Sequence, residues 1–275
     1  FSHLGLHVSP DVDTALYTLS GLANPKTGWG RRDETWTFMQ ALKQLGGESW
    51  FQLGDADLAI HVERSHSLAN GETLSAITRR LAQRLGISAT LLPMSDDPVR
   101  TQVDTDMGEL EFQHYFVREQ CRPEVRGIRF SGAEAARPSP DVIQALKADD
   151  LGAIILCPSN PYLSIAPILA IPGMLDALRG AGVPVIAVSP LVGGAAVKGP
   201  TTKIMTELNL PVSAAEIARH YGALIDGFVL DSRDSNLQPQ IACPVAIVDT
   251  LMQSAEDRIR VAEATLAFAD RLACP

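Results

Sequence analysis

Two carboxylates sit two residues apart in "SPDVDTALYTL", at Asp11 and Asp13. Ser and Asp ahead of an apolar-periodic run are an ordinary helix opening, since their oxygens take the first free backbone N–H groups. A second acid on that turn complements the helix dipole. The same pair also suits a site that needs negative charge, and the two readings stay open on this stretch alone. A second candidate is "GWGRRDETW" (28–36), with a Gly turn, two arginines and Trp29 and Trp36 around Asp33. It reads either as a loop entering a helix capped by Asp33 or as rings and guanidinium groups ready for a flat polar ligand. In "DLAIHVERSHS", His61 and His66 lie near Arg64, a spacing that favours a polar helix face over a metal site.

These residues need elements to position them. Near-continuous apolar runs at 88–93, 152–158, 184–190, 227–231 and 243–250 suit parallel strands buried on both faces. Helical patterns at 33–46, 72–86, 140–150, 172–182, 213–225 and 254–273 alternate with them, with Ser213-x-x-Glu216 as a capping box and Gly86 as a stop. The expected fold is α/β, a doubly wound, mostly parallel, Rossmann-like sheet. Residues 24–86 read as a smaller, mainly helical cap within a single 1–275 domain. "GELEFQHYFVRE" (108–119) alternates with period 2 and predicts an antiparallel excursion.

In such sheets ligands bind beyond the carboxyl ends of the strands. Four loops there are rich in turn residues: "PMSDDPVRT", "PSNPYLSIAP", "SPLVGGAAVKGP" and "DT". One such loop is a turn; four on one edge read as a ligand crest. The GxGxxG fingerprint of an NAD-dependent oxidoreductase is missing. "GGAAVKGPTT" has Pro200 where a phosphate loop needs Lys, and no HExxH or GxSxG occurs.

The 275 residues are 46% hydrophobic and 20% charged, enough for a large core. A net charge of −9 argues against a nucleic-acid partner, which wants a basic face. No run approaches the roughly eighteen apolar residues of a membrane span. Cys121, Cys157, Cys243 and Cys274 form no CxxC pair, and Cys157 and Cys243 read as small buried hydrophobes. A cytoplasmic protein is expected. The chain opens at Phe1 inside what reads as an ordered loop, so a preceding segment is expected too.

Nine motifs in order, from "SPDVDTALYTL" and "GWGRRDETW" through "LGDADLAIH", "LLPMSDDPVRT", "EFQHYFVR", "EVRGIRFSGAEAARPSP", "PSNPYLSIAPILAIPGM" and "AVSPLVGGAAVKGP" to "DTLM", resemble the 2-phospho-L-lactate transferases of deazaflavin coenzyme F-420 biosynthesis. Members usually begin with a strand and a Gly-rich loop before the place where Phe1 stands. The resemblance implies a Mg²⁺-dependent transferase. Its donor is a guanosine diphosphate linked to a small hydroxy acid, and its acceptor is Fo, a ribityl deazaflavin whose hydroxyl attacks the outer phosphorus and releases GMP. Asp11 and Asp13 then belong to the catalytic site, with Asp13 the metal ligand and an Fo contact. Trp29, Asp33, His61 and Arg64 line the deazaflavin side. Ser95, Asp96, Asp97, Pro98, Ser159, Asn160, Pro161, Ser164 and Ser189 hold guanosine and its phosphates, Asp96 and Asn160 foremost. Many relatives read GDRD where this chain has Gly54-Asp55-Ala56-Asp57, which implies either a different ranking of phospholactyl, phosphoenolpyruvyl and phosphoglyceryl donors or a compensating residue such as Arg64. A homodimer is the default assembly. The competing reading is a nucleotide-sugar-binding regulatory protein of the same fold, although that group carries a "PPGDIR"-like stretch in place of "SPDVDT".

Overall fold

The structure, a computed structural model, describes residues 1–25, 27 and 30–273. A short hairpin of β1 (Ser2–His3) and β2 (Leu6–His7) leads into α1 (Pro10–Leu19), whose Pro10 occupies the position where a missing N–H costs nothing. Three more helices follow: α2 (Thr37–Gln44), α3 (Asp55–Ala69) and α4 (Leu74–Arg84). Leu16 and Tyr17 of α1, Ile60 of α3 and Ile77, Leu81 and Ala82 of α4 form a core of their own. Strands β3 (Arg100–Thr105), β4 (Gly108–Glu111) and β5 (Val125–Ser131) make an antiparallel sheet in the order β4-β3-β5.

The second half of the chain begins with α5 (Pro140–Ala145), β6 (Ile154–Leu156), α6 (Ala166–Leu169), α7 (Met174–Arg179) and β7 (Val185–Val188). It continues through the hairpin β8 (Leu191–Val192) and β9 (Ala195–Ala196), then α8 (Thr201–Glu207), α9 (Ala214–Tyr221), β10 (Gly227–Asp231), β11 (Val245–Val248) and α10 (Ala255–Ala273). Four strands run parallel in the order β6-β7-β10-β11. Alternation along β7 and β10 divides the layers. Ile186, Val188 and Val229 face Val261, Phe268 and Ala269 of α10, whereas Ala187, Phe228 and Leu230 face the core shared with α8 and α9. Helices therefore cover both faces, the doubly wound α/β arrangement. Gly227 is required at its place, because a Cβ there would lie 2.6 Å from the Phe268 ring. The capping box holds, Ser213 Oγ accepting from the Glu216 N–H at 3.1 Å.

Three expectations need correction. Residues 88–93 form no strand: an apolar run becomes one only beside a strand that takes its backbone hydrogen bonds, and this one has no ladder partner. The alternation at 108–119 ends at Glu111, and a π-helical turn over His114–Arg118 follows, burying Tyr115. Cys157 is exposed, being already in the loop past β6.

Candidate active site

The strongest concentration of buried charge lies between α1 and α3. Asp13 and Tyr17 stand one turn apart on α1, and Asp57, His61 and Arg64 recur at i, i+4 and i+7 on α3, so each set shares a helix face. Arg64 is fully buried, and its guanidinium forks onto the Asp13 carboxylate, Nη1 donating to Oδ2 at 3.2 Å and Nη2 to Oδ1. Nη1 also reaches His61 Nδ1 at 3.3 Å and the His7 carbonyl at 3.4 Å. On the far side of the ring, His61 Nε2 lies 3.2 Å from Asp57 Oδ2 but off the line a hydrogen bond needs. Tyr17 donates to Asp57 Oδ1 at 2.5 Å. Asp13, Tyr17, Asp57 and His61 line a cleft whose other walls include Pro10, Thr14, Phe51 and Gln52.

Burial raises the Asp13 carboxyl above its ordinary value, and the Arg64 charge only partly offsets that. Asp57 ends below its ordinary value. Burial pushes it up, but the adjoining His61 ring, the Tyr17 hydrogen bond and the Arg64 charge outweigh it. Burial, then the Asp57 charge, pushes the Tyr17 phenol far up, so it stays a donor. His61 and Arg64 are thus no solvated helix face; they are the buried partners of Asp13 and Asp57. Asp13 does not cap α1 either, because the apparent cap residue, Ser9, turns its hydroxyl to His7 Nε2 at 3.0 Å.

This arrangement does not fit Mg²⁺ held by Asp13, since both carboxylate oxygens already face a guanidinium. Asp11, the other expected acid, is exposed on the first turn of α1 with no side-chain hydrogen bond among the described residues, so it is the carboxylate left free there. Mg²⁺ commonly takes one or two carboxylates, with phosphate oxygens and water completing the shell. Among the described residues no cluster of three or more His, Cys, Asp or Glu forms a metal cage.

Aromatic rings flank the cleft. Phe51 meets Phe1 edge-on at 4.9 Å between centroids, His3 stands 5.1 Å from Trp50, and Trp50 tilts against His114 at 4.6 Å. The neighbouring helix starts are clasped reciprocally. Asp55 accepts from the Thr37 and Phe38 N–H groups at the start of α2, and Glu34 accepts from Ala56 and Asp57 at the start of α3. Asp55 therefore does the capping expected of Asp33. Asp33 has positive φ, is exposed and, among the described residues, pairs only with Arg32, outside the cleft. Trp29 lies outside the described residues.

The expected nucleotide residues behave differently. Asp96 accepts from the Ser75 N–H at 2.7 Å, and Asp97 from the Arg137 N–H at 2.9 Å. Ser95 donates to the Arg137 carbonyl and accepts from the Asp97 N–H. Pro98 offers its carbonyl side to Gly132, where a Cβ would clash. This loop thus ties α4 to the chain after β5 and leads into the start of β3 instead of following the carboxyl end of a strand. Ser189, past β7, is buried and bonds back to Leu191. Past β6, Asn160 Oδ1 caps the turn Pro161–Ile165 through the Tyr162 and Leu163 N–H groups, leaving its Nδ2 buried without a partner. Ser159 and Ser164 stand partly exposed on either side of Pro161, which is buried.

Sequence reasoning missed the carboxyl end of β10. Asp231 is fully buried and accepts from the Thr250 N–H, the Thr250 hydroxyl and the Arg233 backbone and guanidinium, and Arg233 reaches on to Asp249. Asp234 is buried with Oδ2 unpartnered. Tyr17 and Asp57 were missed as well. Their signal was the 57/61/64 spacing facing the 13/17 spacing, visible only once both helices are known to meet.

Comparison with known proteins identifies the family. The family model described as 2-phospho-L-lactate transferase CofD matches residues 2–266. A phosphoenolpyruvate transferase of Streptomyces griseus subsp. griseus is 42% identical over 243 residues, 86% of this chain and 76% of that protein. A 2-phospho-L-lactate transferase of Methanosarcina mazei is 38% identical over 259 residues, 93% of this chain and 84% of that protein. A crystal structure of a upf0052 family member from Bacillus halodurans superposes with a TM-score of 0.57 at 9% identity, over 90% of this chain and 80% of that one, a likeness of fold. The chain belongs to the CofD 2-phospho-L-lactate transferase family and is a transferase.

Proposed function

We propose that the protein moves a phospho-hydroxyacid group from a guanosine diphosphate-linked donor to the ribityl hydroxyl of Fo, a step of coenzyme F-420 formation. The observation that carries this reading is the buried Asp13–Arg64 pair opening onto a cleft flanked by aromatic rings. A flat acceptor ring suits the aromatic side. Asp13, pinned by Arg64 and raised by burial, suits a hydroxyl that must be oriented and relieved of its proton. In the reaction the ribityl oxygen forms a bond to the outer phosphorus. The bond from that phosphorus to the bridging oxygen breaks, GMP leaves with the electron pair, and the hydroxyl proton passes to Asp13. Catalysis of this kind rests on positioning and charge neutralisation. Mg²⁺ would supply that neutralisation on the diphosphate, with Asp11 the carboxylate left to hold it. Ser159, Asn160 and the loop after β6 are the groups proposed for the nucleotide, Asn160 Nδ2 offering a buried donor without a partner.

The donor acid is set near Ala56. This residue occupies the first turn of α3 beside Asp57, which lines the cleft, and it brings no side-chain cation. A carboxylate-bearing donor loses there a charge-assisted hydrogen bond worth about 1.5–3 kcal/mol. The test is a competition among the three guanylylated donors with Fo and Mg²⁺, read by product mass. Phosphoenolpyruvate or phosphoglycerate is expected to win, and Ala56→Arg to shift the ranking toward phospholactate. Strong preference for phospholactate in the unmodified protein would refute the donor assignment, and absence of any Fo product would refute the transfer.

A further inference from the structure

We infer that Tyr17, Asp57 and His61 form a positioning chain that holds Arg64, and through it the Asp13 carboxylate, for the incoming hydroxyl. This rests on the transferase reading above and adds three residues to it.

The polarity of each contact in the chain follows from donor inventory. Arginine has only donors. The 3.3 Å contact from Arg64 Nη1 therefore makes His61 Nδ1 the acceptor, and the imidazole proton sits on Nε2. That nitrogen faces Asp57 Oδ2 at 3.2 Å, while Asp57 Oδ1 takes the Tyr17 hydroxyl. Asp57 is itself fixed, its own N–H donating to Glu34 at 2.8 Å. Tyr17 thus donates to Asp57, the His61 Nε2 edge faces Asp57 without the alignment of a hydrogen bond, and Arg64 donates to both His61 and Asp13. Which ring nitrogen carries the proton is set by the partner of the other one, so Asp57 decides that His61 presents a lone pair to Arg64. With the opposite tautomer an N–H would point at a guanidinium N–H, and Arg64 would lose one of the contacts that orient it.

Simple packing is a poor explanation for this arrangement. Two carboxylates and one guanidinium share the α1–α3 interface, and burying ions costs more than filling the same space with apolar side chains. The three charges sum to −1 with His61 neutral, and the residual negative charge sits where Asp13 and Asp57 line the cleft. A carboxylate has acceptor capacity beyond the two Arg64 bonds, so Asp13, which lines the cleft, can still take a hydrogen-bond donor there. An attacking hydroxyl supplies that donor. Tyr17, Asp57 and His61 would act through Arg64 and touch neither reacting atom, which makes them positioning residues.

Two measurements test this. The first is steady-state transfer to Fo with Tyr17→Phe, Asp57→Asn and His61→Gln. The expected result is a fall in kcat of roughly tenfold to a hundredfold, the usual effect of removing an outer partner of a reactive group, with KM for Fo unchanged. Wild-type kcat in folded Tyr17→Phe and Asp57→Asn would overturn the chain. The second needs no turnover: nitrogen chemical shifts of labelled His61 report its tautomer. The proton is expected on Nε2 in the unmodified protein, moving toward Nδ1 in Asp57→Asn. A proton on Nδ1 in the unmodified protein would overturn the chain. If the protein transfers nothing to Fo, the first measurement reports on the transferase reading, and the tautomer still decides the inference. Tyr17→Phe removes a single oxygen, so it keeps the test open should Asp57→Asn fail to fold.

Discussion

The cleft between α1 and α3 and the carboxyl crest of the parallel sheet are built from the same residue types, yet they spend them differently. At the crest, polar side chains close on their own or the adjoining loop: Ser189 on Leu191, Asn160 on the turn it caps, Asp231 on Arg233 and on Thr250 past β11. In the cleft, charged groups from one helix meet those of another, and buried atoms are left over, among them Arg64 Nε. Satisfied local bonds make a rigid edge that presents backbone and a few spare donors. Cross-helix charge makes a site whose strength depends on two elements staying in register. The first is the edge proposed to hold a nucleotide; the second is where a proton can be handled.

The largest expected effect falls on the cleft. Asp13→Asn should abolish transfer and cost about 3–5 kcal/mol in denaturant unfolding, because it strands a buried guanidinium. From sequence alone, Asp13 read as a helix-turn acid worth about 1 kcal/mol; its burial against Arg64 changes that expectation. A stability loss near 1 kcal/mol would return it to the cap reading.

At the crest the matching variant is Asp231→Ala. It should cost about 1–3 kcal/mol for each buried donor left unpaired. Asp231 and Asp13 also differ in sign with pH. Burial raises the Asp231 carboxyl, but hydrogen bonds from Arg233 and Thr250 bring it below 3.8. A lowered carboxyl stabilises above the unfolded value and loses that contribution as pH falls through the folded one. Asp13, raised by burial, has the opposite sign: protonation relieves it. Amide exchange at Thr250 should therefore quicken as pH drops below 3.8, and Asp231→Ala should remove that pH response. An unchanged response would show that Asp231 is not the titrating group.

The smallest effect separates scaffold from ligand contact in the loop at 95–98. Asp96→Ala removes the acceptor for the Ser75 N–H and should cost about 1 kcal/mol, as loss of a helix cap does. GDP affinity, measured by calorimetry, should be retained. A large loss of affinity with stability unchanged would make Asp96 the nucleotide contact that its motif suggested.

Much of the fold was legible because it depends on periodicity along one segment. The buried runs of β7 and β10 and the capping box at Ser213 are local signals, and they lie where they were expected. The run at 88–93 carried the same local signal but has no ladder partner, and pairing is not written in one segment. The candidate site was legible by residue type, through Asp13 and the 57–64 stretch. It was illegible by partner: nothing local distinguishes His61 and Arg64 from an exposed polar stripe, because their burial comes from α1 crossing α3. Asp231 was passed over for a related reason, a lone acid at a strand end looking like punctuation until Thr250 and Arg233 close on it.

The central claim, that the α1–α3 cleft takes the acceptor, is tested most directly by equilibrium titration of Fo, whose fluorescence reports binding without turnover. Thr14→Trp places a large side chain in the cleft wall, and Ser189→Ala alters the crest. The account predicts that the unmodified protein and Ser189→Ala bind Fo alike, while folded Thr14→Trp binds it far more weakly. Undiminished binding by Thr14→Trp together with loss in Ser189→Ala would place the acceptor on the crest and contradict the account.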